Sequence, residues 1–317
     1  MSSPTNTSAE ETRKGMIYGI LAYGSWGVLP IYFRALDDAG PMEILAQRIL
    51  WSVFFCLIYW LWKRDLGWIR DIFRQPRKAG LLFIAAYVLA VNWGVYIYAV
   101  SIGNVLESSL GYFINPLMMV LVGVLVLKER MSPMQWTAIG LGAIAVLVIS
   151  VDYGRLPWIA LTLATSFTIY GVIKKQLGSN IGAVQTMTFE SLMLAPFAIG
   201  VLVWIKAGAD NLTFGNNGVL HTFLLIFLGL ATILPLSLFT SAATRLPLVT
   251  MGMLQFLAPI GQFMVAVFVF GESVPLARWI GFGFVWAALI LLTLDSFRRS
   301  HARRKSLRAQ REASTAV

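Results

Sequence analysis

The sequence predicts an all-α membrane protein of ten transmembrane helices, arranged as two inverted repeats of five. Three observations lead there. Apolar runs of about twenty residues, the length that crosses a hydrocarbon layer of about 30 Å, recur along the whole chain. The stretch Gly111–Arg130, GYFINPLMMVLVGVLVLKER, returns 143 residues later as LQFLAPIGQFMVAVFVFGES, which places Phe113 on Phe256, Pro116 on Pro259, Glu129 on Glu272, Trp136 on Trp279 and Gly140 on Gly283. Five spans in each copy is an odd number, so the two copies must lie in the membrane with opposite orientation.

Composition points the same way. With 58% hydrophobic and 13% charged residues over 317 positions and a mean hydropathy of +0.73, the apolar side chains cannot all face one soluble core. The net charge of +10 sits in short loops and a tail, which marks membrane topology and excludes a nucleic-acid surface. Cys56 is the sole cysteine and the two histidines, His221 and His301, are far apart. Disulfides, thiolate metal sites and a His-based metal site are therefore not expected, and no cofactor is implied.

In chain order, residues 1–14 form a polar segment that lacks the layout of a signal peptide. Spans are expected at 15–36, 43–62, 79–100, 105–127 and 133–151 in the first repeat (15–151). The second repeat (156–294) supplies 156–177, 183–205, 219–243, 249–270 and 275–294. Breakers and charges separate them: DDAGP at 37–41, the basic linker 63–78, and KAGADNLTFGNNG at 206–218. In the basic linker Leu66, Ile69, Ile72 and Phe73 fall near helical spacing, so it reads as an interfacial amphipathic segment. Trp62, Trp68, Trp158 and Trp204 read as interface anchors, and Gly19, Gly24, Gly27, Gly281 and Gly283 as sites of close helix packing. Residues 295–317 form a basic tail suited to anionic lipid heads.

The repeat extends beyond the opening motif. A shift of 141 puts Ser25 and Trp26 on Ser166 and Phe167, and Arg34 on Lys175; a shift of 142 puts Trp62 on Trp204. On the side of the N-terminus fall Arg13, Lys14, the 63–78 linker, Lys128, Arg130, Lys174, Lys175, Arg245 and the tail, against Arg34, Arg155, Lys206 and Arg278 on the other. The positive-inside tendency then makes both termini cytoplasmic, with Glu129 inside and Glu272 outside. Inverted repeats about an axis in the membrane plane are the architecture of many secondary transporters, whose substrate site lies near the midplane where the halves meet.

Several blocks carry a family resemblance: Glu43–Arg48 (EILAQR) with Trp51, Asn92–Trp93, Leu106–Leu117 (LESSLGYFINPL), Glu129–Arg130, Ala242–Leu246 (AATRL) and Gly271–Glu272. Over roughly 13–296 the chain resembles the RarD-type branch of the EamA family, in the drug/metabolite transporter (DMT) superfamily. Gln47 stands where members commonly carry His. The resemblance implies ten transmembrane helices, an inner-membrane location and export of small organic molecules; the branch takes its name from a link to chloramphenicol sensitivity, which is not a substrate assignment.

Ionisable side chains inside spans are costly, about 2.5–3.5 kcal/mol on insertion scales, and by default face a cavity or a partner. Arg48, Glu107 and Glu190 are the candidates, and Arg48 and Glu190 are repeat equivalents of opposite sign. Each lies about 10 Å from its own face at 1.5 Å per residue, which leaves them about 10 Å apart in depth in a core of about 30 Å. They would line one cavity at two levels rather than pair. Glu107, with Asn104, reads equally as a helix-start cap. Asn115–Pro116 and Ala258–Pro259 are matched mid-helix breaks, and Pro116 and Pro259 are hinge candidates. Asn92, Trp93 and Tyr96, with Trp26, Tyr112, Gln255 and Phe256, would make an aromatic pocket with few polar groups.

These residues point to a secondary transporter of the inner membrane that exports small organic solutes, drug, amino acid or related metabolite, by alternating access. Proton coupling through Glu107 or Glu190 and facilitated diffusion both stay open. A lipid scramblase or flippase is the alternative from a neighbouring class and needs a groove open to lipid. A membrane-embedded enzyme would need an acid–base or nucleophile constellation, and no paired aspartates, His/Glu metal spacing or phosphate loop occur in the spans. The topology has a direct check: fused after Val317, green fluorescent protein should fluoresce and alkaline phosphatase should be inactive, and the reverse would place the C-terminus outside.

Overall fold

The computed structural model describes residues 4–65, 67–127, 132–177, 182–208, 212–246 and 248–315, and among them every regular element is helical. In chain order these are α1 (Pro4–Arg34), α2 (Pro41–Lys63), α3 (Gly67–Phe73), α4 (Pro76–Ser101), α5 (Val105–Leu127) and α6 (Pro133–Tyr153). There follow α7 (Trp158–Leu177), α8 (Ala183–Ala207), α9 (Gly218–Ala243), α10 (Leu248–Leu254), α11 (Leu257–Met264) with a π-helical turn at Val265–Val269, and α12 (Leu276–Thr315). Among the described residues, nine stretches are long and apolar enough to cross a membrane; α10, α11 and the π turn form one of them, and α7 is a shorter apolar helix.

The helix ends follow local chemistry. Proline opens α2, α4 and α6, where its missing N–H costs nothing. Ser132 and Gln135 close a reciprocal capping box at the start of α6, and Gly154 ends it in the left-handed region at φ 64°. Large apolar side chains such as Trp62, Val151 and Val219 lie mostly exposed on the outer faces, the pattern expected where lipid is the solvent.

Packing runs mainly between the first and second halves of the chain. α1 packs on α9 and α11, α2 on α8 and α9, α4 on α7 and α8, α5 on α7, and α6 along α12. The α1–α11 crossing needs two glycines face to face. A Cβ built on Gly261 would stand 2.8 Å from Cα of Gly27, and one on Gly27 3.1 Å from Cα of Gly261. Backbone cannot yield as a side-chain tip does.

Several expectations need correction. Helix α1 is longer than the span expected at 15–36: it begins at Pro4, and Glu10 pairs with Lys14 one turn on at 2.9 Å. The last span keeps its expected extent, Leu276–Asp295, and helix α12 continues from it through the basic tail to Thr315. The ninth span is not one bent helix but two short ones separated at Gln255–Phe256. Pro259 explains the place: its ring crowds the carbonyl four residues back, that of Gln255, and offers it no N–H. Pro116, by contrast, sits inside a continuous α5. Trp68 is not an interface anchor; it is buried in the short α3 with its ring 5.1 Å from that of Trp60, whereas Trp62 and Trp204 are exposed. Leu66 and Glu129 lie outside the described residues.

Gly261→Ala should lower stability by about 1–3 kcal/mol through overpacking at the crossing, measured by thermal unfolding of the detergent-purified protein. Gly283→Ala, where no atom lies within 4 Å of the added methyl, is the neutral control. Equal behaviour of the two would show that the α1–α11 contact does not limit stability.

Candidate solute-binding site

Arg48 projects from the second turn of α2 into the interior and is only 5% exposed. Its Nε donates to Oγ1 of Thr232 on α9 at 2.9 Å. Thr232 spends its own proton on the carbonyl of Leu228, so toward Arg48 it acts purely as an acceptor. The guanidinium carbon lies 4.2 Å from the ring centre of Trp93 on α4 and 5.8 Å from that of Phe33 on α1. Stacking on an indole face leaves the donors in the guanidinium plane free to point elsewhere. Among the described residues Arg48 has no carboxylate partner, and its two terminal nitrogens donate to no protein acceptor.

Aromatic rings continue the enclosure. Tyr96 stands edge-on to Phe33 at 5.9 Å and to Tyr112 at 5.7 Å. The hydroxyl of Tyr112 donates to Oδ1 of Asn92 at 3.1 Å, while Nδ2 of Asn92 donates to the carbonyl of Leu163 and to Oγ of Ser166 on α7. Asn92 is thus a knot between α4, α5 and α7 with its donors spent. The hydroxyl of Tyr96, 3% exposed, has no partner among the described residues. Arg48, Asn92, Trp93, Tyr96 and Tyr112 therefore lie together, with Phe33 and Thr232 beside them.

The buried carboxylates lie elsewhere and are engaged. Glu107 accepts from N–H of Ile159 at the start of α7 and pairs with Arg155 at 2.9 Å; it caps another helix, not its own. The start of α5 is capped instead by Glu272, which accepts from N–H of Val105 and Leu106 at 2.7 and 2.9 Å. Glu43 does the same for Thr213 and Phe214 in the loop before α9. Asp152 at the end of α6 holds Arg278 at the start of α12 at 2.6 Å. Glu190, expected to share a cavity with Arg48, pairs with Lys174 at 2.7 Å and accepts from Tyr170.

Of the other candidates, Asn115 accepts from Thr168 on α7. Trp26 packs with Tyr23 and Phe239 in a separate cluster under α10. Gln255 and Phe256 occupy the break between α10 and α11, where Phe256 reaches the main core. A groove of about 400 Å³ lies on the outer flank between α4 and α7, lined by Val88, Val91, Leu161, Thr162, Thr165, Ser166 and Ile169. Its open apolar walls suit a lipid chain, and the Asn92 knot stands between it and Arg48.

Burial pushes the Glu272 carboxyl above its ordinary 4.5, against the opposing pull of the Leu106 and Val105 amides and of Arg278. A carboxyl whose folded value is raised contributes stability that is full below the unfolded value and is lost as pH rises through the folded one. Glu272→Gln should therefore flatten the decline of Tm as pH is raised from 4.5. An unchanged slope in the variant would mean that burial does not govern this group.

The EamA-like transporter family model matches residues 13–151. The chain is 47% identical to "Protein RarD" of Streptomyces exfoliatus, over 94% of each chain. It is 39% identical to "Uncharacterized transporter YojE" of Bacillus subtilis, over 92% of this chain and 97% of that one. A solved crystal structure at 17% identity superposes with a TM-score of 0.57, covering 88% of this chain and 97% of that one, and shares the fold. Together with the apolar helices, these matches make the chain a multi-pass membrane transporter of the drug/metabolite type, a member of the EamA-like transporter family in its RarD-type branch.

Proposed function

We propose that the protein is an alternating-access secondary transporter of the inner membrane that exports small organic solutes through a site centred on Arg48. The observation that carries this reading is a buried guanidinium with no carboxylate partner among the described residues, ringed by Phe33, Trp93, Tyr96 and Tyr112 where α1, α2, α4, α5 and α9 meet. A charge is kept in a bundle interior at a cost that substrate recognition justifies.

Ten spans in two inverted repeats, 15–151 and 156–294, fit the packing, and the positive-inside tendency supports both termini cytoplasmic. Exchange of the halves maps α1–α9 onto α7–α4, α1–α11 onto α7–α5, and α2–α9 onto α8–α4, while α2–α8 and α6–α12 map onto themselves. Such a pattern supports a pseudo-twofold axis in the membrane plane. Glu107, saturated by Arg155 and a backbone amide, suits a structural joint; Glu190, 3% exposed and held by Lys174 and Tyr170, is the better carboxylate for proton coupling. The Gln255–Phe256 break supplies a hinge. A lipid scramblase is the second reading, favoured by the α4–α7 groove. The groove offers hydroxyls but no charge for a phosphate head group, which argues for the carrier.

The test is efflux from proteoliposomes loaded with a mixed pool of amino acids, aromatic metabolites and chloramphenicol, with and without a proton gradient. Wild type should move at least one solute, and Arg48→Gln should reduce that flux by about tenfold or more. Gradient dependence that disappears in Glu190→Gln would place coupling there. Flux indifferent to Arg48, or lipid scrambling without solute flux, would overturn the reading.

A further inference from the structure

The carrier reading leaves the solute's chemistry open, and the donors and acceptors around Arg48 narrow it. Four facts bear on it. The Nε edge of the guanidinium is occupied by Thr232 and its face by Trp93, so the end bearing both terminal nitrogens is what remains to bind. Two parallel N–H groups at that end match the two oxygens of a carboxylate. The Tyr96 hydroxyl, unpartnered and buried, belongs to a ring that shares Phe33 as neighbour with Arg48, and it supplies a further donor on the same side of the bundle.

The acceptors decide the rest. A bound ammonium would need a carboxylate to offset its charge, and the neutral acceptors beside Arg48 already hold one donor each. Oδ1 of Asn92 receives Tyr112, and Oγ1 of Thr232 receives Arg48. The buried glutamates are all engaged: Glu43 by Thr213 and Phe214, Glu107 by Arg155 and Ile159, Glu190 by Lys174 and Tyr170. A cation would also meet Arg48 itself. The surrounding rings favour an apolar or aromatic body over a sugar.

We propose that Arg48 and Tyr96 form the head-group site for an organic monocarboxylate with an aromatic or branched apolar body and no amino group, the body lying against Phe33, Trp93 and Tyr112. This inference rests on the carrier reading for its biological meaning, but its binding chemistry can be tested apart from transport. Thr232 is a positioning residue: it fixes the guanidinium through Nε and touches no solute.

Four probes of one shape separate the alternatives: 3-phenylpropanoate, its amide, 2-phenylethylamine and phenylalanine, titrated by calorimetry into the full-length detergent-purified protein. The acid should bind about tenfold or more tighter than the amide, the amino acid more weakly than the acid, and the amine not at all. Arg48→Gln should abolish acid binding, and Arg48→Lys, which keeps the charge but loses the planar fork, should weaken it about tenfold. Tyr96→Phe removes only an unpartnered hydroxyl, so it should keep the wild-type Tm while weakening the acid about tenfold; it serves where the Arg48 variants fail to fold. Thr232→Val should weaken the acid less than Tyr96→Phe does.

Amide, amine or amino acid binding as tightly as the acid would overturn the proposal, as would acid binding unchanged in both Tyr96→Phe and Arg48→Gln, or no acid binding to wild type. If neutral solutes cross proteoliposomes while the acid neither binds nor crosses, the carrier reading survives and this inference fails. If the acid binds through Arg48 and no solute crosses, the inference stands and the carrier reading fails.

Discussion

A hydrocarbon layer offers no water, so every polar group on a spanning helix has to find its partner within the chain or within what the chain binds. That constraint organises this protein. Asn92, Thr168 and Glu107 close hydrogen bonds onto neighbouring helices, while Ser166 and Thr188 donate to carbonyls of their own helices. Among the described residues Arg48 closes one, at Nε. Its guanidinium is held on its back by Thr232 and on its face by Trp93, and the end bearing two donors is committed to no acceptor among the described residues. In the carrier we propose, its surroundings, rather than the size of any groove, mark the functional interior.

The same constraint explains the carboxylates. A helix start leaves its first N–H groups without intrahelical acceptors and carries partial positive charge. Glu107 and Glu272 each meet that need for a helix start remote in sequence from themselves, and Glu43 does so for backbone of the loop before α9. Long-range caps of this kind do two things at once: they satisfy backbone that lipid would strand, and they fix which helix ends may move together. With Asp152–Arg278 added, the starts of α5, α7 and α12 and the end of α6 are tied in a chain of charge-assisted contacts. In the carrier we propose, those ends move as a unit or not at all.

How much of this was legible in the sequence differs by kind of interaction. The spanning segments announce themselves by length and apolarity, and the aromatic face of Asn92, Trp93 and Tyr96 by adjacency and a one-turn spacing. Arg48 announces itself as a charge in an apolar run. Its partner does not: Thr232 is one of several hydroxyls in apolar helices, and nothing in one sequence separates it from the rest. The caps were hidden more deeply, because the donors are backbone N–H groups and any residue type supplies one. Glu107 was read as a cap for the helix it belongs to, where local spacing permits it; the tertiary fold brings α7 close enough to take that carboxylate and gives α5 the carboxylate of Glu272. Lys174, which looked like a topology charge at a helix end, is the partner of Glu190.

The two matched prolines carry the last step. Pro116 and Pro259 each strip a hydrogen bond from the carbonyl one turn earlier, yet α5 stays continuous and the other helix divides. The difference lies in what holds the turn before each proline. In α5 that turn is clamped to α7: a Cβ on Gly111 would stand 2.7 Å from the carbonyl oxygen of Ala160, and Asn115 is tied to Thr168. In the other helix the tight contact, Gly261 on Gly27, falls after the proline, while Gly252 before it has no neighbour within 4 Å. The clamp thus secures α11 and leaves α10 attached to it through the break at Gln255–Phe256. In the carrier we propose, the glycines around the two matched prolines give them different mechanical roles, a static brace in α5 and a joint between α10 and α11.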